Sequence, residues 1–154
     1  MIETVEQYCS SKLYVWFDDF DPIRVTELLG IEPDEAWHKN DRKVVTTLAG
    51  KKTMLEAVHR RGCWYRSIRP NMRHLEVEAQ IEYWCQLLMA HMSALDELQA
   101  AGCEVIIDCY ISSGPVIYID LSPEFLQQLV KLKVRLTFGI YDTTSREFQT
   151  VPTS

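Results

Sequence analysis

The stretch SKLYVWFDDFDP, residues 11–22, predicts the first strand of the fold and the start of its first helix. Apolar side chains alternate in it with aromatic and acidic ones: Leu13, Val15 and Phe17 against Tyr14, Trp16 and Asp18. A two-residue period is typical of a strand with one buried face, so we expect a strand over residues 11–19. Asp21 is a favoured helix N-cap, and proline is tolerated at the first helical position. A helix is therefore predicted to begin at Pro22 and to stop at Gly30.

The whole chain predicts the element order β-α-β-α-β-β-α-β. After the first helix come a strand over 61–68, a long helix over 75–101, strands over 103–112 and 116–121, a helix over 123–131 and a strand over 134–141. Apolar residues spaced by threes, fours and sevens indicate the long helix, and the Ser-Gly-Pro sequence between the two middle strands indicates a hairpin. Ser122-Pro123 repeats the Asp21-Pro22 pattern of an N-cap followed by proline, and it predicts the start of the helix over 123–131. Residues 37–57 predict a long connection with a short helix near 53–58.

These elements favour an α+β fold, in which a largely antiparallel sheet of about five strands carries helices on one face, a two-layer sandwich of ferredoxin-like character. With 154 residues and 47% hydrophobic content, the chain is expected to form a single domain over 1–154. Its ordered core is predicted over about 11–142. The first residues fit neither a secretory signal nor a transit peptide, and no segment is apolar enough to span a bilayer, which predicts a cytoplasmic protein.

Charge is distributed unevenly along the chain. Residues 39–74 contain ten Lys and Arg against two acidic residues, a local net charge of +8. The other 118 residues carry six basic against twenty acidic residues, a net charge of −14. We expect this basic segment to be attracted to the acidic remainder of the chain, or to an acidic partner, in preference to nucleic acid.

The sheet face without helices is the first candidate binding surface. Alternation predicts these core-facing residues: Leu13, Val15, Phe17, Val105, Ile107, Ile117, Ile119, Leu136, Phe138 and Ile140. It places rings and acids on the opposite face, together with Arg135: Tyr14, Trp16, Asp18, Asp108, Tyr110, Tyr118, Asp120 and Tyr141. Exposed aromatic residues are typical of recognition surfaces. The alternatives are that segment 39–74 covers this face, that a second copy pairs with it as a homodimer, or that a foreign protein binds it.

A second candidate is an anion site in the basic segment. Five residues could grip a phosphate or carboxylate by bidentate contacts and stacking: Arg60, Arg61, Trp64, Arg66 and Arg69. The ordinary alternative is a solvated or internally paired strand edge. Nucleic-acid binding by residues 60–73 is disfavoured because the rest of the chain is acidic.

Catalytic and metal-binding patterns are sparse. His59 and Cys63 are four residues apart, but Cys63 is predicted in a strand, where this spacing does not bring the pair together. The five cysteines show no Cys-x-x-Cys spacing, so we expect reduced, buried thiols: Cys9, Cys63, Cys85, Cys103 and Cys109. Asp18 and Asp19 alone are fewer ligands than a hard cation needs. No cofactor or metal is expected.

Several short motifs together resemble a known family. They are WFDDFDP at 16–22, LLGIEP at 28–33, HKND at 38–41, GCW at 62–64, AGCEV at 101–105 and LSPE at 121–124. This set resembles the bacterial family catalogued as domain of unknown function 4279, over roughly residues 12–142. Asn40 stands where the family pattern has glycine, and asparagine also tolerates positive φ. The resemblance implies a bacterial, soluble, single-domain protein and assigns no catalytic residue.

The sequence therefore predicts a non-enzymatic protein that binds another macromolecule, of an immunity or regulatory type by analogy alone. The alternative is a small enzyme or a protein for anionic ligands, with a pocket between the sheet and segment 39–74.

Overall fold

A computed structural model describes residues 8–114 and 116–142. Its strands are β1 Tyr8–Phe17, β2 Glu35–Trp37, β3 Arg42–Thr46, β4 Lys52–Val58, β5 Gly62–Ser67, β6 Glu104–Ser113 and β7 Arg135–Asp142. Its helices are α1 Pro22–Leu29, α2 Val77–Met89, α3 Met92–Ala100 and α4 Pro123–Leu132, with a single 3₁₀ turn over Pro70–Met72. The mixed α+β composition agrees with the sequence prediction.

Five strands form one mixed sheet in the order β2-β5-β1-β6-β7, and β3 pairs with β4 alone. The central strand β1 is antiparallel to both neighbours, with Val15 opposite Trp64 on one side and Val105 on the other. β2 is antiparallel to β5, whereas β7 is parallel to β6. The sheet is thus less antiparallel than predicted, because α4 returns the chain so that β7 runs in the direction of β6.

The helix starts follow the capping chemistry of the sequence. Asp21 accepts a hydrogen bond from the backbone N–H of Ile23 at 3.0 Å, and Gly30 ends α1 with φ 68°. Ser122 caps α4 in the same way, through the N–H of Phe125. Asn40 adopts φ 71°, the conformation for which asparagine substitutes for glycine. These caps were all predicted, and they are confirmed.

The core lies between one face of the sheet and the helices. Leu13, Val15 and Phe17 of β1 are fully buried there. Two indole N–H groups are satisfied within it: Trp84 donates to the Ser11 hydroxyl at 2.9 Å, and Trp64 donates to the Thr26 hydroxyl at 3.0 Å. Buried polar groups are costly unless paired, so these bonds fix how α1 and α2 sit on the sheet.

The predicted strand over 116–121 is wrong. This segment forms no strand, and the backbone N–H of Asp120 donates to Glu78 of α2. Ile117 and Ile119 pack against the core while Tyr118 is 87% exposed. Buried and exposed side chains do alternate over residues 116–121, but the segment runs beside helix α2 and is not part of the sheet. The position next to β6 in the sheet is occupied by β7.

Three further predictions need correction. The long helix over 75–101 breaks at His91, whose φ of −126° and ψ of 41° separate α2 from α3. The connection over 37–57, with its short helix near 53–58, is instead the hairpin of β3 and β4. In the predicted core set, Phe138 is 36% exposed and Ile140 53% exposed, because β7 is an edge strand that the helices cover incompletely.

Candidate functional site

One face of the five-stranded sheet carries none of the described helices, and we call it the open face. Strand register defines it, because residues directly opposite each other in an antiparallel pair share a face. Tyr14 lies opposite Tyr65 of β5 and Ile106 of β6, and Trp16 lies opposite Cys63 of β5 and Glu104 of β6. The core residues of β1 project the other way. The open face is therefore continuous across neighbouring strands.

Four rings form an aromatic cluster on the open face: Tyr14, Trp16, Trp37 and Tyr65. The ring centroids of Tyr14 and Trp16 are 5.7 Å apart in a stacked pair, and those of Tyr14 and Tyr65 are 5.2 Å apart. Trp37 meets Trp16 edge to face at 6.2 Å and Tyr65 at 6.3 Å. These rings are half-buried by one another, so the cluster is a rigid apolar surface with low conformational entropy.

A second aromatic pair lies on the far side of the open face. The rings of Tyr110 and Tyr141 stack at 4.7 Å, joining β6 to β7. Both side chains are more than 40% exposed. A shallow groove of about 320 Å³ runs beside Tyr110 and is lined by Tyr8, Ser10, Lys12, Asp108 and Tyr110. The groove connects the aromatic pair to the centre of the sheet.

Two carboxylates, those of Asp108 and Glu35, act on the tyrosines at the middle of the open face, where Lys12 lies as well. Burial raises the pKa of the Tyr14 phenol, and the charges of Asp108 and Glu35 raise it further. Burial also raises the pKa of Tyr65 to about 12, again with Glu35 contributing. The ammonium of Lys12 lies 4.9 Å from the Tyr65 ring centroid, a cation–π contact. Both phenols therefore remain neutral hydrogen-bond donors at physiological pH.

The hairpin of β3 and β4, residues 42–58, projects from the sheet, and we call it the arm. Every one of its residues is exposed. Two backbone bonds at its base, Asn40 N–H to His59 C=O and His59 N–H to Asp41 C=O, continue the ladder from β2 and β5. The His59 ring stacks on Trp37 of the open face at 4.1 Å. The arm part of the basic segment thus extends outward instead of covering the sheet, and residues 62–67 of the segment form β5 of the sheet itself.

A cleft of about 460 Å³ separates the arm from β2. Trp37 and His59 lie at its base, Glu35 lies on the sheet side, and Arg42 and Lys52 line the arm side. Burial lowers the pKa of His59, and the charge of Lys43 lowers it further. The cleft therefore has aromatic rings at its base and both acidic and basic side chains along its sides.

The sheet register brings five of the predicted open-face residues together: Tyr14, Trp16, Asp108, Tyr110 and Tyr141. Arg135 shares their face and pairs with Glu104 at 2.7 Å. Asp18 lies beyond the end of β1, 3.7 Å from Arg61. Tyr118 and Asp120 were predicted on this face and do not belong to it, because residues 116–121 are outside the sheet.

Sequence reasoning missed Trp37 and Tyr65, which complete the aromatic cluster. Tyr65 could have been assigned by parity, since it follows the core residue Trp64 in a correctly predicted strand. Trp37 carried no such signal, because β2 has only three residues and no visible alternation.

The anion-site residues do not converge. Trp64 is fully buried in the core, so it cannot stack on a ligand. Arg61 is paired with Asp18 and Glu104 at one end of β5. At the other end Arg66 donates to the carbonyl of Glu32. Arg60 and Arg69 are exposed at these opposite ends.

No metal or nucleophile site emerges within the described ranges. Groups of three or more metal-ligating side chains are absent there. All five cysteines are free and buried, as predicted, and burial raises the pKa of Cys63 to about 12. His38 lies within 3.7 Å of both Asp21 and Asp41. None of the described helices has the length and apolar character needed to cross a bilayer.

Comparison with known proteins identifies a family and nothing closer. The family described as Domain of unknown function (DUF4279) matches residues 7–143. No curated protein and no solved structure matches the chain. Because the match covers most of the chain, the protein belongs to this family.

Proposed function

We propose that this member of the DUF4279 family is a non-catalytic protein that binds another macromolecule through its open face. One observation carries the proposal: seven aromatic side chains lie on a sheet face that no described helix covers, namely Tyr8, Tyr14, Trp16, Trp37, Tyr65, Tyr110 and Tyr141. Exposed aromatic patches of this kind are typical of contact surfaces, in which rigid rings supply much of the binding energy.

Charge favours a protein partner with a basic surface. Glu35 and Asp108 border the aromatic cluster, and their negative charges raise the pKa of the Tyr14 phenol. A basic partner gains affinity and association rate from such carboxylates, whereas nucleic acid is repelled by them. A bacterial protein of the immunity or regulatory type would fit, and five free cysteines suit a cytoplasmic location.

Affinity capture with matched variants tests the proposal. The open-face variant is Trp16→Ala/Tyr110→Ala, and the control is Ile23→Ala/Val130→Ala, which removes apolar side chains that are 65% and 75% exposed on the helices. We expect proteins captured by the wild-type chain and by the control to be lost with the open-face variant. If the open-face variant keeps every captured protein and its self-association is unchanged, the proposal is wrong.

The cleft between the arm and β2 supports a second candidate function, the binding of a small anionic ligand. Arg42 and Lys52 face Trp37 across it, so a flat carboxylate or phosphate ester has both a cation and a ring to contact. A thermal-shift screen of phosphorylated and carboxylated metabolites tests this, since a ligand at 100 times its Kd stabilises by about 2.7 kcal/mol. A shift that persists in Trp37→Ala would place the ligand elsewhere.

A further inference from the structure

The arm exposes apolar side chains that no other residue in the described ranges, 8–114 and 116–142, covers. Its apolar residues are between 36% and 111% exposed: Val44, Val45, Leu48, Met54, Leu55 and Val58. A two-stranded hairpin is at best marginally stable by itself in water. Exposed apolar strands of this kind need a partner, because they otherwise promote aggregation.

The joint at the base of the arm prevents the arm from covering its own sheet. His59 is stacked on Trp37 and its backbone is bonded to both Asn40 and Asp41. Folding the arm flat onto the open face would break this stack. Within the part of the chain that the structure describes, the arm and the open face therefore remain unpartnered at the same time.

The two surfaces have complementary charge. The arm contains Arg42, Lys43, Lys51 and Lys52 against Glu56, a net charge of +3. The register places Glu35, Glu104 and Asp108 on the open face against Lys12 and Arg135, a net charge of −1. On the open face the charges of Glu35 and Asp108 both act on Tyr14.

We infer that the arm of a second copy of this chain occupies the open face, so that two copies exchange arms in a symmetric dimer. This inference rests on the proposed function, since it names the partner of the open face. Reciprocal exchange satisfies both unpartnered surfaces with one kind of contact, and two-fold symmetry closes the assembly at two copies. A foreign partner on the open face would leave the arm uncovered.

Sedimentation of matched variants tests the inference. The arm variant is Leu48→Ser/Met54→Ser, the open-face variant is Trp16→Ala/Tyr110→Ala, and Ile23→Ala/Val130→Ala is the control. We expect the wild-type chain and the control to be dimers. The arm variant and the open-face variant should each weaken dimerisation by about 100-fold or more, because each removes side chains from both arm-to-face contacts of the symmetric dimer. Circular dichroism verifies that each variant is folded.

Mixing the two monomeric variants gives the decisive measurement. Together they retain one intact contact, an unmodified arm on an unmodified open face, so a one-to-one heterodimer should form that neither variant forms alone. A monomeric wild-type chain at about 0.1 mM overturns the inference. So does a dimer that survives either variant, or a mixture that stays monomeric. If the wild-type chain is monomeric but a foreign protein still needs Trp16 and Tyr110, the proposed function stands and only the arm exchange is wrong.

Discussion

The imidazole of His59 lies flat on the indole of Trp37, with ring centroids 4.1 Å apart and an interplanar angle of 17°. This stack joins the arm to the open face, because His59 follows β4 and Trp37 ends β2. The rings are in contact across a joint where the ladder of backbone hydrogen bonds changes from one sheet to the other. The angle between arm and sheet is therefore held by this ring pair together with the backbone bonds at the base of the arm.

The pKa of His59 should lie below its ordinary value of 6.5, mainly because of burial against its neighbours and secondarily because of Lys43. A lowered pKa means that the unfolded chain binds the proton more tightly than the folded one. The contribution of the stack to stability is thus complete above pH 6.5 and is lost as pH falls through the lowered pKa. An NMR titration of the ring measures this value directly.

Two variants assign the cause of that shift. Trp37→Ala removes the ring that buries His59, so the pKa should rise toward 6.5, and Lys43→Gln should raise it by less. If His59 titrates at or above 6.5 in the wild-type chain, the stack is not formed in solution.

Gly62→Ala should be strongly destabilising. A Cβ atom at this position would lie 2.2 Å from the Phe17 ring, which is buried directly opposite it and has no room to move. Overpacking of this kind costs typically about 1–3 kcal/mol, and we expect the upper end. Gly139→Ala is the matched control, since its Cβ meets Tyr141 at an ordinary 3.7 Å.

Urea unfolding of the two glycine variants measures the difference. Gly139→Ala should leave the free energy of unfolding unchanged or raise it by up to about 1 kcal/mol, because alanine loses less backbone entropy on folding. Equal losses for both variants would mean that Phe17 does not pack against Gly62.

Local signals in the sequence predicted the parts of the fold that depend on neighbouring residues. The caps at Asp21 and Ser122 identified α1 and α4, because a side chain bonded to the first helical turn needs only its own neighbours. Strand parity in β1 placed Tyr14 and Trp16 on one face for the same reason.

Long-range competition explains what the sequence could not predict. The alternation over residues 116–121 is indistinguishable from that of a strand, yet β7 takes the place beside β6. The break at His91 has no glycine or proline to mark it, and the apolar period continues through it from Leu88 to Leu95. Trp37 belongs to β2, and a strand of three residues is too short to show the two-residue alternation that would have placed its ring on the open face.

Ser11→Ala should lower the free energy of unfolding by about 1–3 kcal/mol, because it leaves the buried indole N–H of Trp84 without its acceptor. A double-mutant cycle with Trp84→Phe isolates the Trp84–Ser11 hydrogen bond, because phenylalanine has no N–H group that the loss of Ser11 could leave unpaired. The two substitutions together should cost less than their separate costs added. Strict additivity in urea unfolding would mean that the two side chains are not bonded.

The five thiols should resist modification in the folded protein. Burial raises the pKa of Cys9, Cys85 and Cys103 to about 11 and that of Cys63 to about 12, and it raises the pKa of Cys109 as well. The reactive species is the thiolate, and at pH 8 almost all of these cysteines are protonated. Their burial also keeps a thiol reagent from reaching them. We expect five thiols to react after unfolding in urea and fewer than one to react promptly before it.

A cysteine introduced at an exposed position calibrates that measurement. Ser93 is exposed on α3, so Ser93→Cys should add one thiol that reacts at once in the folded protein. If native thiols react as fast as this one, the cysteines are not core residues, and the packing of β1 and β6 against the helices fails with them. Slow reaction at a rate equal to that of global unfolding, measured separately in urea, would show instead that the thiols become accessible only when the whole core opens.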